Sequence, residues 1–334
     1  MKQDTLLVGT AVATITPPLE VGLLTSAVEG RYAPFESVRL PLKARVLAMT
    51  SENKTIIIVA LDLLALSDTS VGGWQQFKQS LTDRVPSSHL IVTCTHTHTA
   101  PESVALSELY LTYAFRDWLN NTVTKIRNCI DQAIDTAVPC RLMYGGAILE
   151  GHHMQRRIPS PSGILMSDAV QPVSPALLNR DPVDKRVRAL QFIGKTGKAV
   201  ATVLHAVCHP VHEMCMPHIS PDFPGELCNL LERNSDHGTV LFLNGAAGDI
   251  NPPTVSCGAG TAYAHAEALA HVFQQEMIPA PFLPSPFEFV HHEQLLGCRP
   301  HMELTNMLDS LARIGALAFG PDLAVVFLPG EPFV

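Results

Sequence analysis

Residues 55–66 read TIIIVALDLLAL, and the first seven of them, Thr55 to Leu61, form a nearly unbroken β-branched run. Such a run predicts a central strand with both faces covered, since a half-solvated strand would alternate apolar and polar residues. Asp62 interrupts the stretch, which is also too short to span a bilayer. Upstream, Lys43 to Met49 predicts a second strand, and Ser51-Glu52-Asn53-Lys54 joins the two as a hairpin. Downstream, Leu90 to Cys94 is a third buried strand, running straight into Thr95-His96-Thr97-His98-Thr99.

Strand and helix signals then alternate. Ser103 to Ala137 carries Phe115, Trp118, Leu119, Thr122, Ile126, Cys129, Ala133 and Ala137 at three- and four-residue intervals, one apolar helical stripe facing a sheet, with a break possible near Asn120-Asn121. Further strands are predicted at Cys140 to Gly146, Arg186 to Phe192, Ala199 to Val207, Thr239 to Leu243 and Leu323 to Phe327, and Leu6 to Ile15 ends at Thr16-Pro17-Pro18, which stops any regular element. Helices are predicted at Gly225 to Arg233, Ala262 to Met277 and Thr305 to Phe319. Gly151 to Asp181 reads as a long irregular loop and Pro279 to Pro286 as a rigid connector. This pattern is α/β, mixed sheets in layers flanked by helices.

The 334 residues suffice for a large core, and 46% apolar with 16% charged residues suits a globular chain. A net charge of -8 without a basic cluster argues against nucleic acid binding. The eight cysteines show no framework spacing, and Met1-Lys2-Gln3-Asp4 does not open a signal peptide, so reduced thiols and a cytoplasmic protein without a transmembrane segment are expected.

Chemistry gathers at strand ends. In extended backbone His96 and His98 would project to one side, as metal or catalytic groups or as a polar strand end bonded to nearby carbonyls. His205-Ala206-Val207-Cys208-His209-Pro210 ends another strand, followed by His212, His218 and Asp222. His209 is the strongest candidate there, and two distant strand-end histidines can supply two of three ligands of a catalytic zinc. Cys208 and Cys215 are rival soft ligands, but their spacing matches no standard finger and each reads better as a buried thiol. Phe242 to Pro252 is a Gly/Ala loop whose N–H groups suit an anion or oxyanion, or simply a tight turn. In Leu328-Pro329-Gly330-Glu331 the acid is either a ligand or an exposed carboxylate.

The motifs together resemble the catalytic region of the neutral/alkaline non-lysosomal ceramidases and their shorter bacterial relatives. The likeness runs from Val8-Gly9-Thr10-Ala11 and Ile15-Thr16-Pro17 through Asp62, the histidines at 95–98, Gln155-Arg156-Arg157, Pro182-Val183-Asp184, Cys208-His209-Pro210, Asp222-Phe223-Pro224-Gly225 and Asn244 to Pro252, ending at Pro329-Gly330-Glu331. The resemblance implies a zinc site with His96, His209 and Glu331 as ligands, His98 beside the reacting water, Arg156 on a substrate oxygen, and hydrolysis of a small-molecule amide. Asn244, Gly245, Asp249 and Asn251 are the further site residues it marks. Asn251 stands where the ceramidases carry a serine needed for ceramide cleavage, so a substrate other than ceramide is expected. The family's tyrosine ligand lies beyond the Pro-Gly-Glu motif and its immunoglobulin-like domain follows later. The expectation for residues 1–334 is therefore a single catalytic domain lacking its C-terminal part, with Glu331 in a frayable terminus. The remaining strands would belong to a longer chain or come from a partner, a homo-oligomer being one such assembly. A degenerate inactive member, or an anion-binding module using residues 245–248 with Arg156 and Arg157, are the alternatives.

Overall fold

A computed structural model describes residues 6–26, 29–170, 172–282, 287–296 and 310–332. Strands β1 (Leu6–Thr14), β2 (Lys43–Ser51), β3 (Lys54–Leu61), β4 (Leu90–Cys94), β5 (Val138–Ile148), β6 (Arg186–Gly194), β7 (Ala199–Ala206) and β8 (Thr239–Asn244) form a mixed sheet ordered β8-β7-β6-β5-β1-β2-β3-β4. A further strand, β9 (Ala280–Phe282), pairs with β5 inside the segment expected to be a connector. Residues 283–286 of that segment lie outside the described residues. The outermost pairs, β3/β4 and β7/β8, are parallel and the other neighbours antiparallel.

The period of two explains the layering. On β2 and β3, Val46, Ala48, Ile57 and Val59 pack against helix α1 (Tyr113–Asp135), while Leu47, Met49, Ile56 and Ile58 face the other way. That second set shares one core with Leu190, Phe192, Val203, Leu241 and Leu243 from β6, β7 and β8. The sheet therefore curls on itself. Thr10 on β1 meets Thr239 on β8 at 2.8 Å between hydroxyl oxygens, although these strands are not neighbours in the sheet. Helices α2 (Asp222–Glu232) and α3 (Ala259–His271) cover the outer face of β6–β8. Arg45, 2% exposed, bonds Asp62 at 3.2 Å and Glu232 at 3.4 Å, tying β2 to α2. Asp62 also accepts from the Lys43 N–H, which is why the apolar run of β3 stops at a carboxylate.

Three expectations change. Ser103 to Ala137 is helical only from Tyr113, after a short 3-10 turn at Leu109–Leu111. The described part of Thr305 to Phe319 is a strand, β11 (Ser310–Phe319), between β10 (Phe287–Leu296) and β12 (Ala324–Phe327) in a separate antiparallel sheet. Its Ala and Leu content favours helix, but Leu317 and Phe319 bury beside Phe287 in the inner core, and that packing overrides propensity. Gly151 to Asp181 contains a hairpin, Arg157–Ser160 with Gly163–Met166, preceded by Met154–Gln155 paired to Ile250–Asn251. The described helices include none long and apolar enough to cross a membrane.

Candidate metal centre

The curl brings the C-terminal ends of β4 and β7 together. After β4 the backbone turns sharply: the His96 N–H donates to the Leu63 carbonyl, and His96 adopts φ 73, the left-handed region. The extended backbone expected at 95–99 is thus absent. The two imidazoles meet because of the turn, with ring centroids 5.1 Å apart. His98 donates its N–H to Pro210 O at 3.3 Å, and the Thr97 and Thr99 hydroxyls donate to Ser220 O at 2.9 and 3.0 Å. These bonds lock the histidine turn onto the segment after β7.

His209 lies three residues past β7, with ring centroids 4.9 Å from His96 and 5.5 Å from His98. One nitrogen from each of the three rings falls within 4.8 Å of the others. Carbonyls set the tautomers. His96 Nδ1 is 2.9 Å from Leu64 O and His209 Nδ1 is 2.6 Å from Ala247 O. A carbonyl only accepts, so both Nδ1 atoms carry protons and both Nε2 atoms offer lone pairs in the neutral rings. His96 Nε2 and His98 Nε2 are buried without hydrogen-bond partners. His209 Nε2 faces Glu331 Oε1 at 2.7 Å, and the same oxygen is 3.7 Å from His96 Nε2. Two lone-pair donors at 2.7 Å share a proton as they stand; ligands of a tetrahedral zinc at 2.0–2.1 Å stand about 3.3 Å apart, so an ion would replace that proton and spread the pair. Burial alone raises the Glu331 carboxyl, but the His209 bond and the nearby His96 outweigh it and hold it well below the usual carboxylate range. Burial, reinforced by His96 and His209, pushes His98 well below its usual value and keeps it neutral.

Three imidazoles and a carboxylate are the donor set zinc takes. These residues fit that ion: orphaned ring nitrogens converge and carbonyls aim them. The geometry places His98 as close to the centre as the two histidines expected to be ligands. Arg156 reaches it too, its Nη1 3.4 Å from His209 Nε2 and its Nε buried without a partner. The centre opens on a groove of about 2120 Å³ whose lining includes His96, His98, Asn244, Gly245, Glu331, Phe289 and Arg313.

The glycine loop is tied to the centre by backbone hydrogen bonds. Gly245 donates its N–H to Ala206 O, and Ile250 to Ala247 O. Gly248 donates to Pro332 O at 2.9 Å, joining the loop to the residue after Glu331. Asp249 accepts from Gln155 Nε2 at 2.9 Å, and its carbonyl takes the Arg156 N–H. Asn251, 5% exposed, donates to Ser167 Oγ at 3.0 Å and is buried at the base of the loop. Asn244 had no role legible beforehand beyond its motif. Its amide donates to Cys208 O and Thr95 O at 3.0 and 3.3 Å and accepts from the Cys208 N–H, joining both histidine segments. Asn244→Ala leaves three backbone groups unpaired; metal affinity is expected to fall about 10–100-fold, with stability down by roughly 1–3 kcal/mol per orphaned group. A metal titration showing unchanged affinity in a destabilised variant would reduce Asn244 to a structural role.

The other sequence candidates lie elsewhere. His218 pairs with Glu213, which Arg39 also holds. Asp222 accepts from the Glu213 and Phe223 N–H groups, and burial pushes it up to about 7. His212 and Cys208 belong to a separate enclosed cluster.

No family model matches the chain, and no curated protein matches it. Solved structures do. A neutral ceramidase from Pseudomonas aeruginosa superposes with TM-score 0.64 at 18% identity, over 92% of this chain and 51% of that one. A ceramidase complexed with C2 gives 0.65 at 18% identity, over 92% and 50%. The chain has a ceramidase-like fold and spans about half the length of those proteins.

Proposed function

We propose that the chain is a cytoplasmic zinc-dependent hydrolase of an amide other than ceramide. The observation that carries this reading is the convergence of the His96, His98 and His209 rings, the Nε2 atoms of His96 and His98 unpartnered, with the Glu331 carboxylate at the wall of an open groove. His96, His209 and Glu331 would hold the ion. Zinc there supplies Lewis-acid polarisation and brings the pKa of water to about 7. His98, kept neutral by burial, offers one N–H and one lone pair, so it donates to charge developing on the amide oxygen. Arg156 orients a substrate oxygen or carboxylate next to it. The groove exceeds the roughly 300–1,000 Å³ of a drug-sized site, so it suits an extended amide. The seven described cysteines are all free, which supports a reducing compartment.

The test is turnover of a panel of N-acyl amides by the purified chain, before and after a chelator. Activity lost on chelation and restored by zinc is expected; hydrolysis indifferent to chelation would overturn the reading. Asn251→Ser is expected not to release fatty acid from ceramide, because position 251 is buried against Ser167 rather than open to the groove. Release measured by chromatography would contradict this.

A further inference from the structure

A second set of ligand atoms is fully enclosed. His153, Cys208 and His265 are 0%, 0% and 1% exposed, and one nitrogen or sulfur from each lies within 4.8 Å of the others. They come from the segment before Met154–Gln155, the segment after β7, and α3.

Hydrogen bonds assign the tautomers. His212 Nδ1 is 3.1 Å from Thr254 O, which only accepts, and 3.0 Å from the Thr254 hydroxyl, which can accept as well, so a proton on that nitrogen satisfies both contacts. Among the described residues no carboxylate hydrogen-bonds to His153, His212 or His265, and buried imidazoles without one are neutral. His212 Nε2 is therefore a lone pair, and it faces His265 Nδ1 at 3.0 Å, which must be N–H. His265 Nε2 is then a lone pair too, 3.3 Å from His153 Nε2. On the far side of that ring His153 Nδ1 is buried with no partner. Whichever tautomer His153 takes, one ring nitrogen stays unsatisfied. Cys208 Sγ has only long contacts, 3.7 Å to His209 O and 3.9 Å to His152 O.

We propose that His153, Cys208 and His265 hold a second metal ion of the zinc class, with a structural role. Two nitrogens bound at 2.0–2.1 Å at the tetrahedral angle stand about 3.3 Å apart, the separation found between His153 Nε2 and His265 Nε2. Sulfur and imidazole donors select zinc, cobalt or copper over magnesium and calcium. His212 is the outer partner that fixes the His265 tautomer, backed by Thr254. The ring of His152 lies near the cluster, its centroid 5.2 Å from that of His265. Because Cys208 precedes His209, the ion would also fix the backbone that carries the first centre. This site stands independently of the amide-hydrolase reading.

The test loads the full chain with cobalt(II) and reads metal content and absorption. The wild type should bind roughly two equivalents and show a sulfur-to-cobalt charge-transfer band. Cys208→Ser should keep about one equivalent and lose the band; His96→Ala should keep about one and retain it. A folded wild type with no such band, or a band surviving in Cys208→Ser, would overturn the proposal. X-ray absorption of the zinc-loaded wild type decides independently of any variant. A sulfur neighbour at about 2.3 Å is expected, and a zinc shell without sulfur refutes the site.

Discussion

His209→Ala is expected to weaken metal binding at the centre with His96 and Glu331 by more than roughly 100-fold, the upper end of what losing an outer-shell partner costs. Ala247 O fixes the His209 tautomer so that Nε2 alone faces inward, and no other described ring nitrogen lies 2.7 Å from the Glu331 carboxylate. Without the imidazole, Glu331, whose side chain is 39% exposed, turns to water instead of waiting on the ion. His96 then keeps its lone pair but loses the partner that closes the site. His212→Ala is the informative control. That ring bonds Thr254 and His265, not the centre, so affinity there should change by less than about 10-fold. Competition titrations against a chromophoric chelator, read on the metal class without a thiolate signature, give both values. Equal losses would sink the assignment of His209.

What was legible in advance follows from the range of each signal. Apolar runs such as Thr55 to Leu61 and Leu90 to Cys94 are local, and they fixed strands that the structure reproduces to within a residue or so. The curl of the sheet is not local. Nothing near Thr10 or Thr239 announces their contact, yet it is what carries the end of β4 to the end of β7. Residues 310–319 were misread because alanine and leucine favour helix when the partner strand 287–296 is unseen. At the centre, strand-end histidines stood out by position, whereas the φ of 73 at His96, which brings the rings together, has no sequence signature. His265 was invisible for a different reason. A histidine in the alanine-rich helix 259–271, which also ends on His271, is ordinary, and only the fold sets His265 against His153 and Cys208.

Acid should destabilise the chain steeply below about pH 6.5. Burial holds His98 and His265 well below their usual value, His205 and His212 at about 4, and His153 at about 3. An unfolded histidine protonates near 6.5. In the window between, the unfolded state binds protons that the folded state refuses, so stability is full above pH 6.5 and falls as pH drops. Asp222, raised by burial to about 7, and Asp62, raised by burial, act in the opposite sense, since they keep protons in the fold that the unfolded chain releases. Each group contributes at most about 1.4 kcal/mol per pH unit, and the five histidines outnumber the two acids, so the net effect of acid is destabilising. Against a global stability of roughly 5–15 kcal/mol, a few such groups remove a large share within two units. Bound metal has the same sign, because ligating imidazoles must also stay unprotonated. Urea midpoints at pH 7, 6 and 5, with and without zinc, measure the slope. His205→Gln lies outside both metal clusters and should lower it by one group's share, about 1.4 kcal/mol per unit. A flat profile from pH 7 to pH 5 would mean that these imidazoles reach protons in the folded state, and that the enclosure both clusters depend on is absent.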